Sequence, residues 1–181
     1  LSPSSAASDV YKRQLYHLGQ LVGCVKRAHD IDANLSAHVM HENLVSKASS
    51  VLALLNVIHV TGIDRDQVEY VIDCAEEACG DINQRGGGNF AKSAAEIAGL
   101  NNASGSDCRA FCAAPAHAMI EAAALVASGA YHTVVVTAGG CTAKLGMNGK
   151  DHVKKGLPAL EDMIGGFAVV ITQDDGCLLY T

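Results

Sequence analysis

The chain has 181 residues, is 49% apolar and 18% charged, and carries a formal net charge of −6. That length suits one domain, and that apolar content can fill a core. An acidic balance without basic runs argues against nucleic acid and against an anionic membrane surface as partners, and no apolar run is expected to reach the length of a membrane span.

The two ends read differently from the rest. Ser4–Gln14, SSAASDVYKRQ, is encodable by a DNA segment ending GATGTGTATAAGAGACAG, and Cys177–Thr181, CLLYT, by TGTCTCTTATACACA from its reverse complement. One short DNA sequence read in opposite directions resembles a sequencing adaptor. Residues 1–14 and 177–181 are therefore expected to be non-native tails, and residues 15–176 an internal fragment of a longer protein.

Between those tails, Leu15–Asp32 is ambiguous. Asn34–Thr61 reads as a long helix, with Leu35, Val39, Leu44, Val45, Leu52, Leu55 and Ile58 near helical spacing and Gly62 as its stop. Asp64–Gln67 reads as a turn, and Val68–Asp73 as a short strand. Cys74–Gly88 is a polar, glycine-rich connection. Asn89–Ala98 reads as a second helix, with Asn89 as N-cap and Gly99 as stop. Leu100–Ala103 is a further short strand candidate. Ala116–Val126 is rich in strong helix formers, Pro115 suits a first helical turn, and Ser128-Gly129 ends the helix. Thr133–Val136 is a β-branched run and reads as a buried parallel strand. Gly139–Leu160 is a loop excursion, and Gly165–Thr172 is a last strand. Elements that alternate in this way imply an α/β fold with a mainly parallel sheet and helices on both faces.

Cys112 is the leading candidate for chemistry. It stands at the mouth of a helix, beside the small residues Ala113 and Ala114, after a Gly/Ser-rich approach at Ser104–Ser106. A helix N-terminus favours the thiolate form of a cysteine, and the thiolate is the nucleophile. A buried core cysteine is the competing reading. Glu76 and Glu77 follow the Val68–Asp73 strand, where loops of α/β folds line a crevice, so each is either a general acid/base or a solvated charge.

Other clusters carry weaker signals. Cys74-x4-Cys79 and Cys108-x3-Cys112, with His117, lack the spacing of structural zinc sites, so no metal and no cofactor is expected. Gln84–Asn89 lacks the residues of a P-loop. Lys144, Lys150, Lys154 and Lys155 suit an acidic carrier or a solvated loop. Of the seven cysteines, Cys24, Cys74, Cys79, Cys108, Cys112 and Cys141 lie outside the adaptor-like tail and do not form a loop-rich framework, which points to reduced thiols and a cytoplasmic location.

Two resemblances sharpen this reading. Cys112 is followed by Ser128-Gly129-Ala130 and TVVVTAG, and later by GGFAVVI. That pattern resembles the thiolase-like superfamily, in particular β-ketoacyl carrier-protein synthase III, and implies the N-terminal half of an αβαβα sandwich. Within that superfamily Glu76 falls near the catalytic glutamate of hydroxymethylglutaryl-CoA synthases. The longer runs EEACGDINQRGGGNFAKSAAEIAG, NASGSDCRAFCAAPAHA and AGGCTAKLGMNGKDHVKKGLPALEDMIGGFAVVI resemble the component C β-subunit family of glycine/sarcosine/betaine reductases, over roughly residues 65–173.

That second resemblance implies acetyl transfer in an anaerobic complex. A carboxymethyl-selenoether on selenoprotein A yields an acetyl thioester, and phosphate releases acetyl phosphate. The implied partners are the component C α subunit and selenoprotein A, in a dimer or hetero-oligomer. Cys112 is the implied acyl carrier. In an acyl-transfer subunit Glu76 would aid proton transfer, and Cys108, one helical turn upstream, would be either a redox partner or an incidental core thiol. Phe111-Cys112-Ala113-Ala114-Pro115 departs from the synthase pattern of Ala-Cys-Ser/Ala-Gly, and the half that supplies the synthases' His and Asn is absent. A non-catalytic scaffold subunit and a synthase III-type condensing enzyme are the alternatives.

Overall fold

The computed structural model describes residues 12–32, 35–75, 89–141, 154–156, 164–173 and 176. Strands β1 (Lys12–His17) and β2 (Gln20–Lys26) form an antiparallel hairpin. Its turn residues Leu18 and Gly19 both have positive φ (48° and 78°), the pattern of a two-residue I′ turn. Lys12–Gln14 of the adaptor-like stretch lie in β1.

Helix α1 (Ala37–Thr61) follows, then a 3-10 turn at Arg65–Gln67, strand β3 (Tyr70–Asp73) and helix α2 (Phe90–Ile97). Strand β4 (Ser104–Asp107), a 3-10 turn at Phe111–Ala113, helix α3 (Ala114–Ala127), strand β5 (Thr133–Cys141) and strand β6 (Ile164–Thr172) complete the described elements.

Local chemistry accounts for most of these boundaries. The Asp64 carboxylate accepts the N–H of Asp66 and starts the 3-10 turn. The Asn89 side chain accepts the N–H of Lys92 at 2.8 Å, so the expected N-cap of α2 is in place. Gly62 and Gly129 follow α1 and α3 with φ of 67° and 74°, the left-handed geometry that ends a helix.

The main sheet has the order β4-β3-β5-β6. β3 runs parallel to β4 and to β5, and β6 closes the edge antiparallel to β5. The register sets Asp107, Asp73 and Thr137 abreast, at the carboxyl ends of β3 and β4 and midway along β5. Because side chains alternate across a strand, the sheet serves two cores. Val71 and Val135 pack with Val51, Leu54 and Ile58 of α1 and with Ala91, Ala94 and Ala95 of α2. Ile72, Val134 and Val136 pack with Ala118, Ala122 and Val126 of α3 on the other face. The expected α/β class, with a mainly parallel sheet and helices on both faces, is the one observed.

Three expectations are corrected. The strand expected at Leu100–Ala103 is displaced to Ser104–Asp107. Leu100 and Ala103 are instead buried in the core with α2, and the weakly β-prone SGSD is extended by pairing with β3. Cys108 does not lie a helical turn before Cys112: it follows β4, and its N–H donates to the carbonyl of Asp73 at 2.9 Å. Finally, Asn43–Thr61 of α1 is long and apolar enough to cross a membrane by length and composition. In this fold Val51, Leu54 and Ile58 of that helix are instead packed in the core formed with the sheet.

Tight packing draws α1 onto the sheet. A Cβ at Gly139 would overlap the backbone nitrogen of Ser50 and the carbonyl of Ser46, so helix and strand meet backbone to backbone there.

Candidate active site

The carboxyl ends of β3 and β4 lead to the segment that carries Cys112. Asp73 is fully buried and accepts the Ser50 hydroxyl at 3.1 Å and the N–H of Ala75 at 3.1 Å. Asp107 accepts the N–H groups of Phe90 (3.1 Å) and Ala91 (2.9 Å), the free donors at the start of α2.

Arg109 lies between these two carboxylates. Its Nη1 is 2.8 Å from Asp73 Oδ1 and its Nη2 is 3.2 Å from Asp107 Oδ2. Nη1 also donates to the carbonyls of Asp73 and Ala75, each at 3.0 Å. Burial pushes the Asp73 carboxyl above the ordinary range, while the Arg109 guanidinium pulls it back down.

Beyond Arg109 the backbone takes two uncommon conformations. Ala110 has φ −152° and ψ 34°, and Phe111 has φ 49°. A left-handed non-glycine residue costs on the order of 1 kcal/mol. Cys112 follows at once, exposed, in the 3-10 turn Phe111–Ala113. The N–H of Ala113 returns to the carbonyl of Ala110 at 3.1 Å, and α3 begins at Ala114 with Pro115 in its first turn. The turn therefore presents an exposed thiol at the start of an apolar 14-residue helix. Such a thiol can form a thioester.

The other candidates fall elsewhere. Cys108 is partly buried, its Sγ 3.8 Å from the carbonyl of Ala114. Burial, followed by the charge of Glu121, pushes its thiol up. Cys74 is buried, and desolvation together with the Asp73 charge pushes its thiol up to about 12. His117 is exposed on α3, and Lys154 and Lys155 are exposed. Glu76, Glu77, Cys79, Gln84–Gly88, Lys144 and Lys150 lie outside the described residues. Among the described residues no three His, Cys, Asp or Glu side chains group as metal ligands.

Sequence reasoning passed over Asp73, Asp107 and Arg109. The available signal was an apolar strand, Tyr70–Asp73, that ends in a carboxylate, with Asp-x-Arg some thirty residues further on. Charges at the carboxyl ends of parallel strands are placed where α/β folds bind ligands.

No family model matches the chain. Among characterised proteins, it is 62% identical over 169 residues to the glycine/sarcosine/betaine reductase complex component C subunit beta of Peptoclostridium acidaminophilum, an alignment covering 93% of this chain. The chain is a homologue of part of that subunit. It spans about a third (33%) of the subunit's length.

Three solved structures are similar to the chain. The priming β-ketosynthase of the R1128 polyketide pathway aligns with TM-score 0.45 and 25% identity over 50% of this chain and 26% of its own. Cerulenin-bound OleA of Xanthomonas campestri aligns with TM-score 0.47 and 18% identity over 55% and 28%. Acetamide-bound OleA of the same organism aligns with TM-score 0.48 and 16% identity over 61% and 32%.

Proposed function

We propose that the chain is part of an acyl-transfer subunit of a glycine/sarcosine/betaine reductase complex, with a thiolase-like architecture. The carrying observation is an exposed Cys112 at the start of α3, within a sequence 62% identical to a component C β subunit. In this reading the Cys112 thiolate holds an acetyl group as a thioester. The backbone N–H of Cys112 itself helps stabilise the oxyanion, and Glu76 assists proton transfer. A phosphate oxygen then attacks the thioester carbonyl, the thiolate leaves, and acetyl phosphate is the product.

The proposed partners are selenoprotein A and the component C α subunit. A cytoplasmic setting fits Cys24, Cys74 and Cys108, which are free thiols.

The test uses the full-length subunit in its complex. Radiolabelled acetyl from acetyl phosphate is expected on the Cys112 peptide, and Cys112→Ala is expected to lower turnover by about a thousandfold or more. Turnover unchanged in Cys112→Ala would leave the scaffold reading instead. Activity in a malonyl-carrier condensation assay would favour a synthase III-type enzyme.

A further inference from the structure

We infer that Arg109 is the positioning residue for Cys112, acting through the backbone turn between them; the inference rests on the acyl-transfer reading above. Arg109 does more than balance one buried charge. Its guanidinium engages two carboxylates and two main-chain carbonyls, drawn from the ends of β3 and β4. Through Asp107 it is tied to the first N–H groups of α2, and through Asp73 to Ser50 of α1. Its three hydrogen bonds all leave from Nη1, while Nη2 faces Asp107 Oδ2 at 3.2 Å as an ion pair and, like Nε, has no hydrogen-bond partner among the described residues.

That anchored side chain stands two residues before Phe111 and three before Cys112. The left-handed backbone at Phe111 is not held by its own ring, which is 74% exposed. Uncommon backbone geometry persists only where its surroundings over-determine it. Here it is held from its two ends: by the start of α3, through the Ala113 to Ala110 hydrogen bond, and by Arg109. Arg109 also grips the carbonyl of Ala75, the residue before Glu76. One side chain in the segment before Cys112 thus contacts the main chain at Asp73 and Ala75.

The test uses the full-length protein and two variants. R109K keeps the buried charge balanced but replaces the fork by a single point donor. The double variant R109M/D73N removes the guanidinium together with the fully buried carboxylate it neutralises, while Asp107 keeps the N–H groups of Phe90 and Ala91. Iodoacetamide labelling of Cys112 is measured against exposed Cys24 in the same molecule, beside thermal melting and acetyl-transfer kinetics. The Cys112/Cys24 rate ratio is expected to fall about tenfold in both variants at near wild-type melting temperature, with kcat lowered and KM kept. A wild-type ratio in both variants overturns the inference. Labelling does not need acetyl transfer. Loss of the ratio without any acylation of Cys112 would therefore retire the acyl-transfer reading and keep Arg109 as the anchor of the turn.

Discussion

Cys24, Cys74, Cys108 and Cys112 differ in burial, and burial sets reactivity. Cys24 and Cys112 are exposed, Cys108 is half-buried behind α3, and Cys74 is buried beside the Asp73 carboxylate. A thiol must ionise to react, and burial opposes the charged form. With its thiol pushed up to about 12, Cys74 carries almost no thiolate at neutral pH. Timed labelling of the native protein with iodoacetamide, read by peptide mass spectrometry, is expected to modify Cys24 and Cys112 first and Cys108 slowly. Cys74 is expected to react only after unfolding, and labelling of native Cys74 as fast as Cys24 would contradict that order. Cys112 was recognisable in the sequence as a thiol ahead of Pro115 and an Ala-rich helix. Arg109 was not, because its importance lies in contacts to Asp73 and Asp107, which meet only when β3 pairs with β4.

Helices and strands follow local rules where the signal is local. Asn89 caps α2, Gly62 and Gly129 end α1 and α3, and the β-branched run at Thr133 forms a central strand. Where an element depends on its neighbour, the local signal fails, as at Ser104–Asp107. The start of β5 shows how elements are joined. The Glu69 carboxylate, just before β3, accepts the backbone N–H groups of His132 and Thr133. Those hydrogen bonds hold its carboxyl below the ordinary range. A lowered folded value means the contribution is complete above the ordinary carboxylate value and is lost as pH falls through the lower, folded one. Urea unfolding of wild type and Glu69→Gln across a pH series is therefore expected to show a stability gap at neutral pH that closes on acidification. A gap independent of pH would rule this linkage out.

At the scale of the whole molecule, one sheet divides two apolar clusters, so its strands are packed from both sides. Leu54 of α1 is fully buried in the larger cluster, against a sheet with little room to collapse. Leu54→Ala is expected to cost about 2–5 kcal/mol in urea unfolding. A loss below about 1 kcal/mol would mean that the α1 contact is far looser than its burial implies. The outer face of α3 tells a different story. Met119 and Ile120 are exposed there, and so is Phe111 at the turn that precedes it.

The sequence alone determined the element types, the α/β class and the prominence of Cys112, because helix caps, β-branched runs and the small-residue context of a thiol act over a few neighbouring residues. Only the tertiary structure decided where β4 lies and that Arg109 joins Asp73 to Asp107 ahead of a left-handed Phe111. Those features arise from strand register and burial, which bring together groups more than thirty residues apart, and no local pattern encodes such a distance.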